Sequence, residues 1–132
     1  MPGYSGTPLY VKLGLTPAMK VYLVNAPREY FSWINSPLKD QLTHSPEAAG
    51  MVHVFSTTRK ELERTFLSLT KSVHASTIIW ISWYKKSSGV ATDITEDIIR
   101  EIVLPAGWVD VKVCAVSDQW SGLKIVKRKA SR

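Results

Sequence analysis

The stretch Ser76–Tyr84 reads STIIWISWY and is apolar, aromatic or β-branched at almost every position. Residues of these types favour β-strands, where they pack well against their neighbours. A strand without polar alternation is covered on both faces, as the central strand of a parallel sheet is. The stretch therefore predicts a buried central strand with further structure above and below it.

Further strands are predicted on both sides of this one in the sequence. Two precede it, at Met19–Val24 and Met51–Phe55, and two follow it, at Val109–Val116 and Trp120–Lys127. Helices between strands produce right-handed parallel crossovers and cover both faces of a sheet. The short polar connection between the last two strands permits only an antiparallel hairpin. We therefore predict an α/β fold: a three-layer Rossmann-like sandwich with a mostly parallel sheet and an antiparallel C-terminal hairpin.

Three helices are predicted between these strands. The first has an apolar face and ends before Pro37. The second begins with a capping box, in which the side chains of Thr58 and Glu61 accept hydrogen bonds from free backbone N–H groups. Asp93 is predicted to cap the third helix, because a short carboxylate is a good acceptor at that position.

The length of 132 residues fits one domain, so we assign 1–132 to a single Rossmann-like domain. Residues 1–18 predict an irregular N-terminal arm with one helical turn around Leu9–Leu13, and 128–132 form a basic tail. Hydrophobic residues make up 45% of the chain and charged residues 21%, which are the values of a globular protein rather than a disordered one.

The net charge of +6 is concentrated at one end of the chain. Residues 124–132 contain five basic residues and no acidic one, and the rest of the chain carries 12 basic against 11 acidic residues. A nucleic-acid binder usually distributes its lysines and arginines along a face. We therefore expect a solvated last strand and tail and no nucleic-acid partner, with a weak polyanion contact as the alternative.

Other classes of protein and site are excluded by the composition. No apolar run approaches the about 20 residues of a membrane span, and the first residues lack the basic start and apolar core of a secretory signal. We therefore expect a cytoplasmic protein without a membrane partner.

Cys114 is the only cysteine, which excludes an intrachain disulfide. His44, His53 and His74 lack metal-ligand spacing, so we assign no metal site. A cysteine nucleophile needs a partner base, and neither His53 nor His74 can be placed beside Cys114, so we assign no catalytic residue.

The second half of the chain resembles a known family of enzymes. From Met51 onward a strand, a helix, a strand and a helix lead to Ala-Gly-Trp at 106–108 and then to a terminal hairpin. This order is similar to the C-terminal half of class I S-adenosylmethionine-dependent methyltransferases, and the resemblance implies a Rossmann-like fold. The family places a glycine-rich turn after the first strand, and Val24–Arg28 contains no glycine. We therefore assign no cofactor.

A second resemblance covers more of the chain. The phrases Gly3–Leu9, Lys85–Glu96, Lys112–Val116 and Trp120–Leu123 resemble a family of small bacterial proteins that is described only as a domain of unknown function. This resemblance supplies no activity.

The candidate site lies beyond the carboxyl ends of the parallel strands, where ligands bind in open α/β sheets. Three loops are expected to meet there: Asn25–Arg28, Ser56–Thr58 and Lys85–Asp93. The third contains two lysines, hydroxyl side chains and a glycine, and it leads to a helix N-terminus, which favours an anion. A polar loop with a solvated lysine pair is the alternative. Eight residues form the candidate anion site: Asn25, Lys85, Lys86, Ser87, Ser88, Gly89, Thr92 and Asp93.

Three functions are compatible with the sequence. The leading hypothesis is a non-catalytic or regulatory module that binds a small anionic ligand or a protein partner. The first alternative is a reduced methyltransferase-like enzyme that uses S-adenosylmethionine, and the second is a basic nucleic-acid accessory protein. The sequence leaves the ligand and the oligomeric state open, and the exposed edge of a terminal hairpin is compatible with a homodimer.

Overall fold

The computed structural model describes residues 7–34 and 38–129, with Lys39 described by its backbone alone. The phrase Gly3–Gly6, the predicted helix end at Ser36-Pro37 and the tail residues 130–132 lie outside the described residues. The predicted helical turn near the N-terminus is present as the first helix. The helices and strands are α1 (Leu9–Leu13), β1 (Val21–Val24), α2 (Tyr30–Ile34), β2 (Met51–Phe55), α3 (Arg59–Thr70), β3 (Ile78–Tyr84), α4 (Glu96–Val103), β4 (Trp108–Ala115) and β5 (Trp120–Lys127).

The five strands form one sheet in the order β1-β2-β3-β5-β4. β1, β2 and β3 are parallel, and β5 is antiparallel to both β3 and β4. Only β5 therefore runs against the other four strands, and the predicted fold class is confirmed. The sequence did not reveal that the last strand lies inside the sheet, between β3 and β4. This insertion makes β4 an edge strand, and β4 carries a bulge between Asp110 and Lys112.

Helices cover both faces of the sheet, as the apolar character of Ser76–Tyr84 predicts. One core lies between the sheet and α3 and α4, and a second lies between the sheet and α1 and α2. β3 contributes to both, because its successive side chains point to opposite faces. The first core includes Val54, Leu62, Phe66, Ile81, Ile99 and Trp108, and the second includes Leu13, Tyr30, Phe55, Trp80 and Trp120.

The two long helices begin at caps, of which the sequence identified one. Thr58 Oγ1 accepts a hydrogen bond from the backbone N–H of Glu61 at 3.2 Å, so the predicted start of α3 is confirmed. The prediction that Asp93 caps α4 is wrong. α4 is capped by Thr95, whose Oγ1 accepts from the backbone N–H of Ile98 at 3.2 Å. Asp93 lies two residues before this cap, and its carboxylate accepts from a different helix.

Within the described residues, no helix combines the length and the apolar character that crossing a membrane requires.

Candidate functional site

The three loops of the predicted site follow β1, β2 and β3 directly. Because these strands are parallel, all three loops lie at the carboxyl edge of the sheet. The second and third loops are joined by two hydrogen bonds. Thr92 Oγ1 donates to the carbonyl of Thr57 at 2.7 Å, and the backbone N–H of Arg59 donates to Asp93 Oδ1 at 2.6 Å. The loop Lys85–Asp93 is therefore anchored on the N-terminus of α3.

Asn25 lies at the same edge but apart from this junction. It is exposed and adopts a left-handed backbone conformation with a φ of 57°. Asparagine tolerates that conformation better than most side chains do. Among the described residues, no hydrogen bond connects Asn25 to the loop Lys85–Asp93. Asn25 therefore shares the edge of the sheet with the loop and ends β1 in a tight turn.

The first half of the loop folds on itself. The backbone N–H of Lys85 donates to the carbonyl of Gln119 at 2.8 Å, which ties the loop to the turn between β4 and β5. Ser88 Oγ donates to the carbonyl of Lys85 at 2.7 Å and accepts from the N–H of Val90 at 3.1 Å. Gly89 ends this turn with a φ of 75°, which glycine adopts without strain. Ser88 is therefore occupied in shaping the loop.

The side chains that remain available lie at the turn of the loop. Lys86, Ser87 and Gly89 are exposed, and Lys85 is half-buried. No carboxylate of the described residues forms an ion pair with either lysine. A Cβ placed on Gly89 would have no atom within 4 Å, so a ligand has room beside the backbone. The predicted site thus separates into residues that face solvent and residues that hold the loop.

The N-terminus of α3 is filled by the protein's own carboxylates. Besides Asp93, Glu61 reaches back to this end of the helix, and Glu61 Oε1 accepts from Ser56 Oγ at 2.8 Å. Backbone N–H groups at a helix N-terminus attract anions. Here Asp93 and Glu61 supply that negative charge. Thr92 and Asp93 are therefore positioning residues of the loop.

A shallow cleft of about 380 Å³ lies beneath the loop, against the start of α4. Its lining contains Lys86 and Arg100 but also Glu96 and Asp97, so the charges balance and the cleft favours neither sign. Arg100 forms ion pairs with Glu96, Asp97 and Asp110, and its hydrogen bond with Asp110 raises the pKa of the guanidinium. An anion is therefore better accommodated on the outer surface of the loop than in the cleft.

A buried polar chain, which the sequence did not reveal, crosses the second core. The hydroxyl of Tyr30 lies 3.0 Å from His53 Nδ1, and His53 Nε2 lies 2.7 Å from Ser82 Oγ. All three residues are fully buried. Burial lowers the pKa of His53 to about 3 and raises the pKa of Tyr30 above its ordinary value. The imidazole is therefore neutral and bridges α2, β2 and β3.

No protein-family model matches the chain, and no curated protein matches its sequence significantly. Solved structures do match its fold. The tRNA methyltransferase TrmK from B. subtilis is similar with a TM-score of 0.60 and 8% identity, over 96% of this chain and 68% of that one.

Two further methyltransferase structures are also similar. A putative type 11 methyltransferase from Sulfolobus solfataricus has a TM-score of 0.54 and 12% identity, over 91% of this chain and 78% of that one. The N-methyltransferase NodS from Bradyrhizobium japonicum has a TM-score of 0.52 and 9% identity, over 93% and 82%. At sequence identities this low, the structural similarity shows the fold alone. It confirms the distant resemblance to methyltransferases at that level, and the resemblance to the small bacterial family stays a prediction.

Proposed function

We propose that the protein is a non-catalytic binding module whose loop Lys85–Asp93 holds a small anionic ligand. The observation that carries the proposal is the anchoring of this loop. It is tied to Gln119 at one end and to Thr57 and Arg59 at the other. A loop that is fixed in this way loses little conformational entropy when it binds a ligand.

The charge of the loop favours an anion. Lys85 and Lys86 are adjacent and have no ion-pair partner among the described residues. Ser87 adds an exposed hydroxyl group, which can donate a hydrogen bond. Phosphate and carboxylate groups match these donors, because hydrogen bonds between ionised partners are the stronger ones.

A binding role is favoured over catalysis by the location of the reactive side chains. A general base must come within hydrogen-bond reach of the group it deprotonates. His53 is fully buried and engages Tyr30 and Ser82 with both ring nitrogens. At the loop itself, the lysines and hydroxyl groups have no histidine bonded to them among the described residues. The same lysines also support a variant of the proposal, in which the ligand is an acidic group of a partner protein.

The proposal is tested by thermal unfolding in the presence of inorganic phosphate or pyrophosphate, since a ligand that binds the native state raises the melting temperature. We expect the increase to disappear in the double variant Lys85→Ala, Lys86→Ala. The matched control is Lys60→Ala, Lys71→Ala, which removes the same charge from exposed positions of α3 and its C-terminal cap. An increase that persists in the loop variant, or that both double variants lose equally, contradicts the proposed site.

A second candidate function is a reduced methyltransferase-like enzyme. The TM-score of 0.60 to a tRNA methyltransferase favours it at the level of the fold. The absence of glycine from Val24–Arg28 opposes it, because backbone in that turn has to approach the cofactor closely. Calorimetric titration with S-adenosylmethionine separates the two functions. We expect no heat of binding, and a saturable signal favours the enzyme.

A further inference from the structure

The face of β4 and β5 that lies on the side of α1 contains a row of basic residues. Lys112 and Lys124 are paired directly across the two strands, and so are Val109 and Val126, which lie beyond the bulge in β4. Directly paired residues point to the same face of a sheet. Lys112 Nζ donates to the carbonyl of Lys12 at 3.2 Å, which identifies the face as the one that carries α1.

Two more cations belong to this face. Arg128 lies two positions beyond Val126, and its backbone N–H donates to the carbonyl of Gly107 at 2.8 Å, which continues the pairing past the end of β5. Lys12 lies at the flank of the face. Its backbone carbonyl accepts the hydrogen bond from Lys112 Nζ, which holds this end of α1 beside Lys112. We call Lys12, Lys112, Lys124 and Arg128 the basic face.

Helices α1 and α2 pack mainly on the other half of the sheet. Their buried side chains pack on β1, β2 and β3 and on Trp120 of β5. Val109 and Val126 are half-buried and belong to neither core. α4 packs against the opposite face of β4, where Arg100 bonds to Asp110 at 3.0 Å. The C-terminal end of α1 reaches the basic face, where the Lys12 carbonyl accepts from Lys112 Nζ and Lys124 is half-buried, while Lys112 and Arg128 remain exposed.

No side-chain carboxylate of the described residues neutralises the positive charge of the face. Each of the 11 acidic residues of the sequence is a described residue. The ion pairs of these carboxylates involve Arg59 and Arg100, and none reaches the basic face. Like charges placed directly opposite in a sheet destabilise it. The pair Lys112 and Lys124 therefore adds an electrostatic cost that a bound polyanion would remove.

We infer that the basic face binds the phosphate backbone of a nucleic acid strand. Lys112 and Lys124 lie directly opposite each other, and Arg128 lies four positions beyond Lys124, which is about 13 Å along a strand. That spacing suits a chain of phosphates and not one small anion. Lysine contacts with phosphates carry no sequence information, so the binding is sequence-independent. This face is separate from the loop Lys85–Asp93, and the inference does not depend on the proposed function.

The structure also shows why the basic C-terminal end was not sufficient to predict this face. Lys127 points to the other side of the sheet, where its Nζ lies 5.7 Å from the centre of the Trp108 ring and donates to the carbonyl of Ala106 at 3.3 Å. The C-terminal cations are thus divided between two faces. Lys12 and Lys112 join Lys124 and Arg128 only through the tertiary fold.

The test is fluorescence anisotropy with a labelled single-stranded oligouridylate, titrated with the full chain at salt concentrations between about 50 and 200 mM. We expect affinity to fall steeply with salt. The triple variant Lys112→Ala, Lys124→Ala, Arg128→Ala should lower the slope of log affinity against log salt by about 2, since each lost phosphate contact contributes about 0.7 for a single strand. Its affinity at the lowest salt should fall by about tenfold or more.

The matched control is Lys60→Ala, Arg64→Ala, Lys71→Ala, which removes three exposed cations from α3 and its C-terminal cap on the opposite side of the sheet. We expect its slope to equal that of the wild type. Thermal unfolding verifies that each variant folds. The conservative variant Lys112→Arg, Lys124→Arg, which keeps the charge, should bind as the wild type does.

Three results overturn the inference. The first is a wild-type chain that does not bind the oligonucleotide at the lowest salt. The second is an equal loss of affinity in both triple variants, which indicates an effect of net charge alone. The third is a wild-type chain that binds phosphatidylserine vesicles but not the oligonucleotide, and that loses vesicle binding in the triple variant of the basic face. That result identifies the surface as a lipid contact.

Discussion

Asp93 lies 34 residues beyond Arg59 in the sequence, and its carboxylate accepts a hydrogen bond from the Arg59 backbone N–H at 2.6 Å. The bond fixes the end of the loop that follows β3 to the first turn of α3. An ionised acceptor at a helix N-terminus is favourable because it satisfies a free N–H group and opposes the positive end of the helix dipole. Asp93 thus caps a helix to which it is not adjacent in sequence.

Asp93→Ala should lower the free energy of unfolding by about 1 kcal/mol, because the first turn of α3 loses its acceptor. Asp93→Asn keeps an oxygen at the same position and should retain most of that stability. Urea unfolding of the two variants and the wild type measures the difference. Thr95→Ala, which removes the cap of α4, should cost a similar amount and serves as a reference. An alanine variant as stable as the wild type contradicts this role of Asp93.

The sequence was sufficient where the determinants are local. The apolar stretch around β3 and the cap of α3 by Thr58 depend on neighbouring residues, and both predictions are confirmed. The second half of the predicted capping box differs, because Glu61 Oε1 accepts from Ser56 Oγ and from the Thr57 N–H.

The start of α4 was mispredicted because two acceptors, Asp93 and Thr95, precede it. Ile94 is buried although it lies outside the helix, and its packing places the start after Thr95. Such packing is a tertiary property that spacing alone does not reveal.

The features that bear on function depend on the order of the strands. β5 lies between β3 and β4, which pairs Lys124 with Lys112. The parallel pairing of β2 and β3 brings His53 within 2.7 Å of Ser82. Neither pair is close in sequence, and strand order is set by the whole sheet. The candidate loop could be located from its sequence, but the internal roles of Thr92 and Asp93 could not.

Gly122 is required where β5 passes the second core. A Cβ at this position would lie 2.9 Å from Val116 Cγ2 and 3.2 Å from Trp80 Cε3. Gly122→Ala should therefore lower the free energy of unfolding by about 1 to 3 kcal/mol, the usual cost of overpacking a core. Ser121→Ala, one position away, should change it by less than about 0.5 kcal/mol. Urea unfolding compares the two variants, and equal stabilities would show that the core accommodates the methyl group.

α1 is attached to the sheet through a buried hydrogen bond, in which Trp80 Nε1 donates to the carbonyl of Leu13 at 3.0 Å. Trp80→Phe leaves that carbonyl without its donor and should cost about 1 to 3 kcal/mol. Amide hydrogen exchange should accelerate in α1 more than in α3, because the lost bond holds only α1. Trp33→Phe, at a half-buried position in α2, is the control. Equal acceleration in both helices contradicts the assignment of this bond as the attachment of α1.

His53 should make the stability of the fold depend on pH. Its pKa is 6.5 in the unfolded chain and about 3 in the fold, because burial disfavours the imidazolium. Between these values the unfolded chain binds a proton that the native state does not. The stability is therefore complete above pH 6.5 and decreases as the pH falls toward 3, by up to about 1.4 kcal/mol per pH unit.

Urea unfolding between about pH 7 and about pH 5 measures this slope in a range where Asp and Glu remain mostly ionised. His53→Gln should flatten the slope, and His44→Gln, at an exposed position, should leave it unchanged. If His53→Gln does not fold, NMR titration of the wild type replaces it. The ring resonances of His53 should then stay constant over the same range. A His53 resonance that titrates near pH 6.5 would show that the imidazole is protonated inside the buried hydrogen-bonded chain of Tyr30, His53 and Ser82.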